Sequence, residues 1–227
     1  MRVLYIDTSS DYLYSGIVIN DKLVSEIKKK YEKDLSKEAL PKVIELFDKA
    51  GITPQELDKI IVVNGPGSFT GIRIGITIAK TMAWALNINI TPISGLTAMA
   101  ISCNNDTYKM PLIDARRDYV YGAIYDKDNN KIIEDSHIYL QDLLDKSKNL
   151  SEVVAITNNN ININLKVLRY DPDIIKIVKH YENSEGINPH LVNPIYLKKT
   201  EAEEKAGLWL KNMIVIHKIL WITLLIS

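Results

Sequence analysis

The chain has 227 residues, 46% apolar and 25% charged, which suits one large domain or two small ones around a buried core. Its 28 Lys and Arg equal its 28 Asp and Glu, so no net charge draws it to nucleic acid or to an anionic membrane. The single cysteine, Cys103, excludes an intramolecular disulfide and fits a reducing cytoplasm, and its flank Ala100-Ile101-Ser102 reads as the buried end of a helix.

Met1 to Asp7 enters a strand at once and leaves no room for a signal peptide, so the expected location is cytoplasmic. Val3 to Ile6 is a compact apolar strand, turned by Asp7-Thr8-Ser9-Ser10. A carboxylate and hydroxyls at a strand end suit a nucleotide or metal site; the same residues are also plain turn formers. Residues 12–19 and 22–30 read as a hairpin around Asn20-Asp21. A helix follows over 36–50, stopped by Gly51. Leu40, Val43, Ile44 and Phe47 form one stripe on it, while Ala39, Leu46 and Ala50 spread the apolar surface further.

The run Ile60-Ile61-Val62-Val63 ends at Asn64 and meets Gly65-Pro66-Gly67-Ser68-Phe69-Thr70-Gly71-Ile72-Arg73-Ile74-Gly75. Residues without a Cβ let the backbone approach closely, and a helix start points its amides into the turn. That geometry suits an anion or a tightly packed neighbour. It is not a Walker A loop, because no Gly-Lys-Ser/Thr closes it. The helix over 69–86 has Ile72, Ile76, Ala79, Ala83 and Leu86 along one face, with Trp84 sharing a side with Arg73, Thr77 and Lys80. Core burial accounts for most of these positions, and the Trp84 side is the better partner surface.

A short strand near Ile90 to Ile93 precedes a helix that Ser94-Gly95 opens and Cys103 ends. Asn104-Asn105-Asp106-Thr107 is polar punctuation, giving an N-terminal lobe over 1–104 and a second over 105–206. Met110 to Asp114 is again an apolar strand ending in aspartate, and 118–125 alternates as a strand with two faces. Asp126 to Asn130 is a hairpin loop leading to Ile132-Ile133. A helix near Leu140 to Lys146 and a strand over Val153 to Ile156 follow. Both halves thus run strand-to-Asp and then into a hairpin, a duplication of element order rather than of identity. The asparagine-dense stretch 158–164 reads as a loop.

This order resembles the α/β actin/Hsp70-like (ASKHA) architecture: two ribonuclease-H-like lobes, each a mixed sheet flanked by helices. More narrowly, four blocks resemble the TsaB family, once called YeaZ. They are Ile6-Asp7-Thr8-Ser9, the Gly65-to-Gly75 loop, Leu112-Ile113-Asp114-Ala115-Arg116 with Val120-Tyr121, and Pro194-Ile195-Tyr196-Leu197 with Glu201-Ala202-Glu203. The resemblance spans about 1–205. It implies a non-catalytic scaffold that pairs with a TsaD-like paralogue, the subunit that carries the metal and transfers threonylcarbamoyl to adenosine beside the anticodon of tRNA. It also implies a TsaE-like ATPase in the assembly, tRNA met only through the complex, and a homodimer when the chain is alone. The implied pairing surface is the first two helices. Its candidates here are Ala39, Val43, Leu46 and Ala50, with Arg73, Thr77, Lys80 and Trp84.

Absent residues point the same way. The four histidines, His137, His180, His190 and His217, include no pair four apart that would put two imidazoles on one helical face as metal ligands. Where the family carries a His-Ser-Glu triplet, this chain reads Leu35-Ser36-Lys37-Glu38. No catalytic residue, no bound metal and no tightly held cofactor are expected. A nucleotide at the partner interface would draw on Asp7, Thr8, Ser9, Gly65, Gly67, Ser68, Gly71, Asp114 and Arg116. The favoured account of the two aspartates is instead a salt-bridge cluster with Arg116 and Arg117. The rival function is an autonomous ATP-dependent kinase or hydrolase using Asp7, Asp114 and the glycine loop. The apolar tail over 207–227 departs from the family pattern. A membrane span, an interfacial helix, a docked helix and an altered reading frame all fit it, although Lys211 and Lys218 would be costly in a bilayer and no membrane role is expected.

Overall fold

A computed structural model describes residues 1–31 and 34–198; the tail over 207–227 and the block Glu201-Ala202-Glu203 lie outside the described residues. The first half runs β1 (Arg2–Asp7), β2 (Tyr12–Ile19), β3 (Lys22–Lys30), α1 (Leu35–Ala50), β4 (Lys59–Gly65), α2 (Phe69–Leu86), β5 (Ile90–Ser94) and α3 (Gly95–Ser102). The second runs β6 (Tyr108–Asp114), β7 (Tyr119–Tyr125), β8 (Lys131–Tyr139), α4 (Leu140–Ser147), β9 (Val153–Ile156), β10 (Lys166–Leu168) and α5 (Ile174–His180).

The duplication read from element order is a duplication of topology. One sheet has the order β3-β2-β1-β4-β5 and the other β8-β7-β6-β9-β10. In each, the first strand pairs antiparallel with a hairpin on one side and parallel with a later strand on the other. The mixed α/β architecture expected of the actin-like class is therefore present.

The strand sequences follow from burial on two faces. Leu4, Ile6, Ile60 and Val62 pack under α1 and α2, while Val3, Tyr5, Ile61 and Val63 meet Ala98 and Ile101 of α3 and Ile174, Ile177 and Val178 of α5. A strand covered on both sides reads as a continuous apolar run instead of alternating. In the second sheet Leu112, Val120 and Ile124 pack with Leu143 of α4, and Ala123, Tyr125 and Ile156 pack with Leu96, Met99 and Ala100 of α3. Helix α3 is thus buried from Gly95 through Ile101 and shows no polar stripe.

Hydrogen bonds reinforce this junction. Ser94 Oγ donates to the Asp135 carboxylate, which also accepts from Tyr125 Oη at 3.1 Å and pairs with Lys131 at 3.0 Å. Lys59 Nζ donates to the carbonyls of Tyr181, Glu182 and Ser184 at 2.7–2.9 Å, fastening the segment after α5. Three elements go beyond the sequence reading. Strand β8 extends to Tyr139, and β10 and α5 were not anticipated. A three-residue strand and a seven-residue helix carry too little periodicity to stand out, and both depend on sheets already formed. Among the described residues no helix is long and apolar enough to cross a membrane.

Candidate functional site

Two regions collect the candidate residues: the turn after β1 with its glycine loop, and the outward surface of α1 and α2. In the first, Gly65 (φ 132°) and Gly67 (φ 152°) turn the chain out of β4 in conformations that strain other residues. A Cβ on Gly67 would collide with the Ser9 carbonyl oxygen, and one on Gly71 with that of Thr8. Ser68 N–H donates to Ser9 O and Thr8 Oγ1 donates to Gly71 O, both at 2.7 Å. Ser68 Oγ then caps α2 by accepting from Gly71 N at 3.2 Å. The chain's own backbone packs into the glycine gaps, Ile195 at Gly65, Ser9 at Gly67 and Thr8 at Gly71.

Asp7 is buried beneath this turn. Its Oδ1 accepts from Ser9 N at 2.8 Å and from Ser9 Oγ at 2.7 Å, and Tyr5 Oη lies 3.5 Å from Oδ2. Burial raises its pKa above the ordinary 3.8, while the Ser9 and Tyr5 hydrogen bonds pull it back down. Asp114 is exposed; its N–H donates to Asn159 Oδ1 at 3.0 Å, and its Oδ1 accepts from Arg116 N–H at 2.8 Å. The expected salt-bridge cluster of Asp7, Asp114, Arg116 and Arg117 is not formed among the described residues. Asp7 is enclosed by its own turn, and Arg116, Arg117 and Asp118 take left-handed conformations that leave both arginines exposed. No group of three or more His, Cys, Asp or Glu among the described residues could hold a metal ion. Cys103 ends α3, partly buried against the core there.

On the helical surface the α1 candidates require correction. Ala39, Val43 and Leu46 are fully buried between α1 and the first sheet, and Ala50 is half-buried, so none of the four offers an open docking surface. The stripe read from the sequence divides: Val43 and Phe47 face inward, while Leu40 and Ile44 are exposed. Leu40 and Ile44 repeat at i,i+4 as Val43 and Phe47 do, so spacing alone does not separate the outer pair from the inner one. On α2, Arg73, Thr77 and Trp84 are exposed, Trp84 at 67%. The Arg73 guanidinium lies 4.0 Å from the centre of the Phe69 ring, itself exposed, as a cation–π pair. Lys80 is half-buried; its Nζ donates to Val192 O at 2.9 Å and His190 O at 3.3 Å.

Comparison with known proteins gives these features a family. Residues 23–172 match the family model described as TsaD, tRNA N6-adenosine threonylcarbamoyltransferase. The chain is 30% identical, over 93% of its length and 99% of the relative's, to the tRNA threonylcarbamoyladenosine biosynthesis protein TsaB of Bacillus subtilis. Among solved structures, a Pseudomonas aeruginosa protein with similarity to peptidase YeaZ superposes with a TM-score of 0.71 at 19% identity, over 87% of this chain and 99% of that one. YeaZ from Pseudomonas aeruginosa gives 0.69 at 20% identity, over 86% and 99%. Both structural likenesses speak to the fold.

Proposed function

We infer the function of this chain from its membership: it belongs to the TsaB (YeaZ) family of tRNA threonylcarbamoyladenosine biosynthesis proteins. It acts as a non-catalytic subunit that pairs with a TsaD-like transferase and supports threonylcarbamoyl transfer to tRNA. A TsaE-like ATPase joins the assembly, and the chain pairs with itself when the partner is missing. The pairing surface is the outward side of α1 and α2, with Trp84, Phe69 and Arg73 exposed on α2 and Leu40 and Ile44 exposed on α1.

The observation that carries this reading is the exposure of Trp84 and Phe69 on one helix whose opposite face is fully packed. Large apolar residues gathered on one surface favour association, and Trp and Arg are the residue types that most often anchor it. The non-catalytic part draws support from the turn after β1. Thr8 and Ser9 fill the glycine loop that would otherwise approach a phosphate, and Ser9 holds the buried Asp7 carboxylate.

Reconstituted transfer tests it. Omitting this chain from a mixture with its TsaD-like partner, TsaE-like ATPase, tRNA and threonylcarbamoyl donor abolishes modification, and Asp7→Asn restores it as fully as wild type. Modification that proceeds without the chain contradicts the scaffold role. Nucleotide hydrolysis by the chain alone that is lost on Asp7→Asn with folding intact would favour the autonomous kinase or hydrolase.

A further inference from the structure

The face of the second sheet that packs on α3 also carries a ladder of rings beyond that contact. Tyr119 and His137 stack with centroids 4.8 Å apart and planes 11° apart, and Tyr139 meets Tyr119 edge-on at 5.7 Å. Tyr121 lies 5.5 Å from His137. Two-residue alternation along β7 puts Tyr119 and Tyr121 on the same face as Ala123 and Tyr125, which meet α3. On β8, His137 and Tyr139 continue that face beyond Asp135, whose partner Ser94 pairs with Gly65 at the start of the glycine loop. Tyr119 and Tyr139 are each 41% exposed.

The turn leading into this ladder is unusual. Arg116, Arg117 and Asp118 have φ of 67°, 54° and 61°, three consecutive residues other than glycine in the left-handed region. Both arginines are exposed, and neither forms an ion pair among the described residues. The backbone of this turn is tied to the ladder, Arg116 O accepting from Tyr119 N–H at 3.1 Å and Asp118 O from Leu140 N–H at 2.8 Å, so two exposed arginines belong to the same turn as the exposed rings. An occupant with a flat face and negative charge matches that pairing.

We propose that Tyr119 and Tyr139, with Arg116 and Arg117, seat an unpaired nucleotide of RNA, its base on a ring and its phosphate at the guanidinium groups. Single-stranded nucleotides are held by bases stacked on aromatic rings together with positive charge along the backbone, which two arginines supply here. A free nucleotide offers the same chemistry, but the filled glycine loop gives it no cradle for further phosphates. Asp114 and Asp118 in the same turn balance the arginines, so the attraction is short-ranged and acts on RNA already brought in by the assembly. This inference rests on the reading above that the chain serves tRNA modification.

Labelled tRNA is titrated into the full chain alone and into its mixture with the TsaD-like partner, with ATP as a second probe and light scattering reporting assembly. Replacing Tyr119 and Tyr139 by Ala weakens tRNA binding about tenfold, and Phe at both positions restores it. Replacing Arg116 and Arg117 by Ala weakens it too and lowers the slope of log affinity against log salt by about two. ATP binding and assembly do not change. Unchanged tRNA affinity in these variants, or no tRNA binding to either sample, overturns the inference. So does loss of ATP binding, which assigns the seat to a free nucleotide, or loss of assembly, which assigns it to the protein partner. A failure to assemble already present in wild type contradicts the proposed function, whereas unchanged tRNA affinity within an intact complex contradicts only the nucleotide seat.

Discussion

Thr8 and Gly71 are joined twice: Thr8 Oγ1 donates to the Gly71 carbonyl at 2.7 Å, and the Thr8 carbonyl stands where a side chain at Gly71 would begin. The first turn of α2 is thereby pressed onto the end of β1. Gly71→Ala must push apart two backbone segments, an overpacking cost of about 2–3 kcal/mol. Gly51→Ala has open space and meets only the strain of its left-handed φ, about 1 kcal/mol. Urea unfolding should separate the two midpoints in that order; equal midpoints would mean the loop is loosely packed.

Leu46 and Ile44 sit two residues apart on α1 with opposite exposures, 0% and 43%. Leu46→Glu puts an unpaired carboxylate into the core and costs upward of about 4 kcal/mol, enough to lose the folded state of many domains. Ile44→Glu changes stability by less than about 0.5 kcal/mol and weakens association about tenfold or more. Circular dichroism melts and light scattering on both variants check the pair, and a well-folded Leu46→Glu would disprove the assigned core.

Ionising Asp7 while buried is unfavourable, because burial raises its folded pKa above the unfolded 3.8. Between those two values the native state binds more protons than the unfolded one, so this carboxyl's contribution to stability falls as pH rises through the window. The penalty is complete above the folded pKa and absent below 3.8. Asparagine can accept both Ser9 hydrogen bonds without ionising. Asp7→Asn is therefore at least as stable as wild type at neutral pH, and its advantage shrinks on acidification. An advantage that grew as the pH fell would refute the sign assigned to this group.

Lys59 satisfies three carbonyls after α5 with one ammonium group. Charge-assisted hydrogen bonds are individually stronger than neutral ones, and Lys59→Met removes all three for a cost of about 1–3 kcal/mol. Hydrogen exchange should speed up first around 181–187, where the chain leaves α5 and bridges to Ile90. Uniform acceleration across the first sheet would instead point to a general loss of stability.

What the sequence made legible was local chemistry. Gly51 stops α1 in a left-handed conformation where the sequence places its end, and α2 starts at the expected Phe69, with Ser68 as a cap that only the structure shows. The apolar runs of β1 and β4 declared strands, and the structure shows why they are continuous: helices cover both faces. Orientation was harder. Helix α1 is apolar inside and partly apolar outside, so its period could not say that Val43 faces the sheet and Ile44 faces away. The role of the glycine loop was hidden for a related reason: glycines make room, and only the folded chain supplies Thr8 and Ser9 as occupants. Helix α5 is held by a sheet formed from residues far from it in sequence.

The central claim is that the outward side of α2 receives a TsaD-like partner. Size-exclusion chromatography with light scattering, on the chain alone and mixed with that partner, measures it directly. Wild type should shift to the mass of a mixed complex at micromolar concentration, while Trp84→Glu keeps its melting temperature and elutes apart from the partner. A complex that Trp84→Glu forms as readily as wild type would contradict the claim.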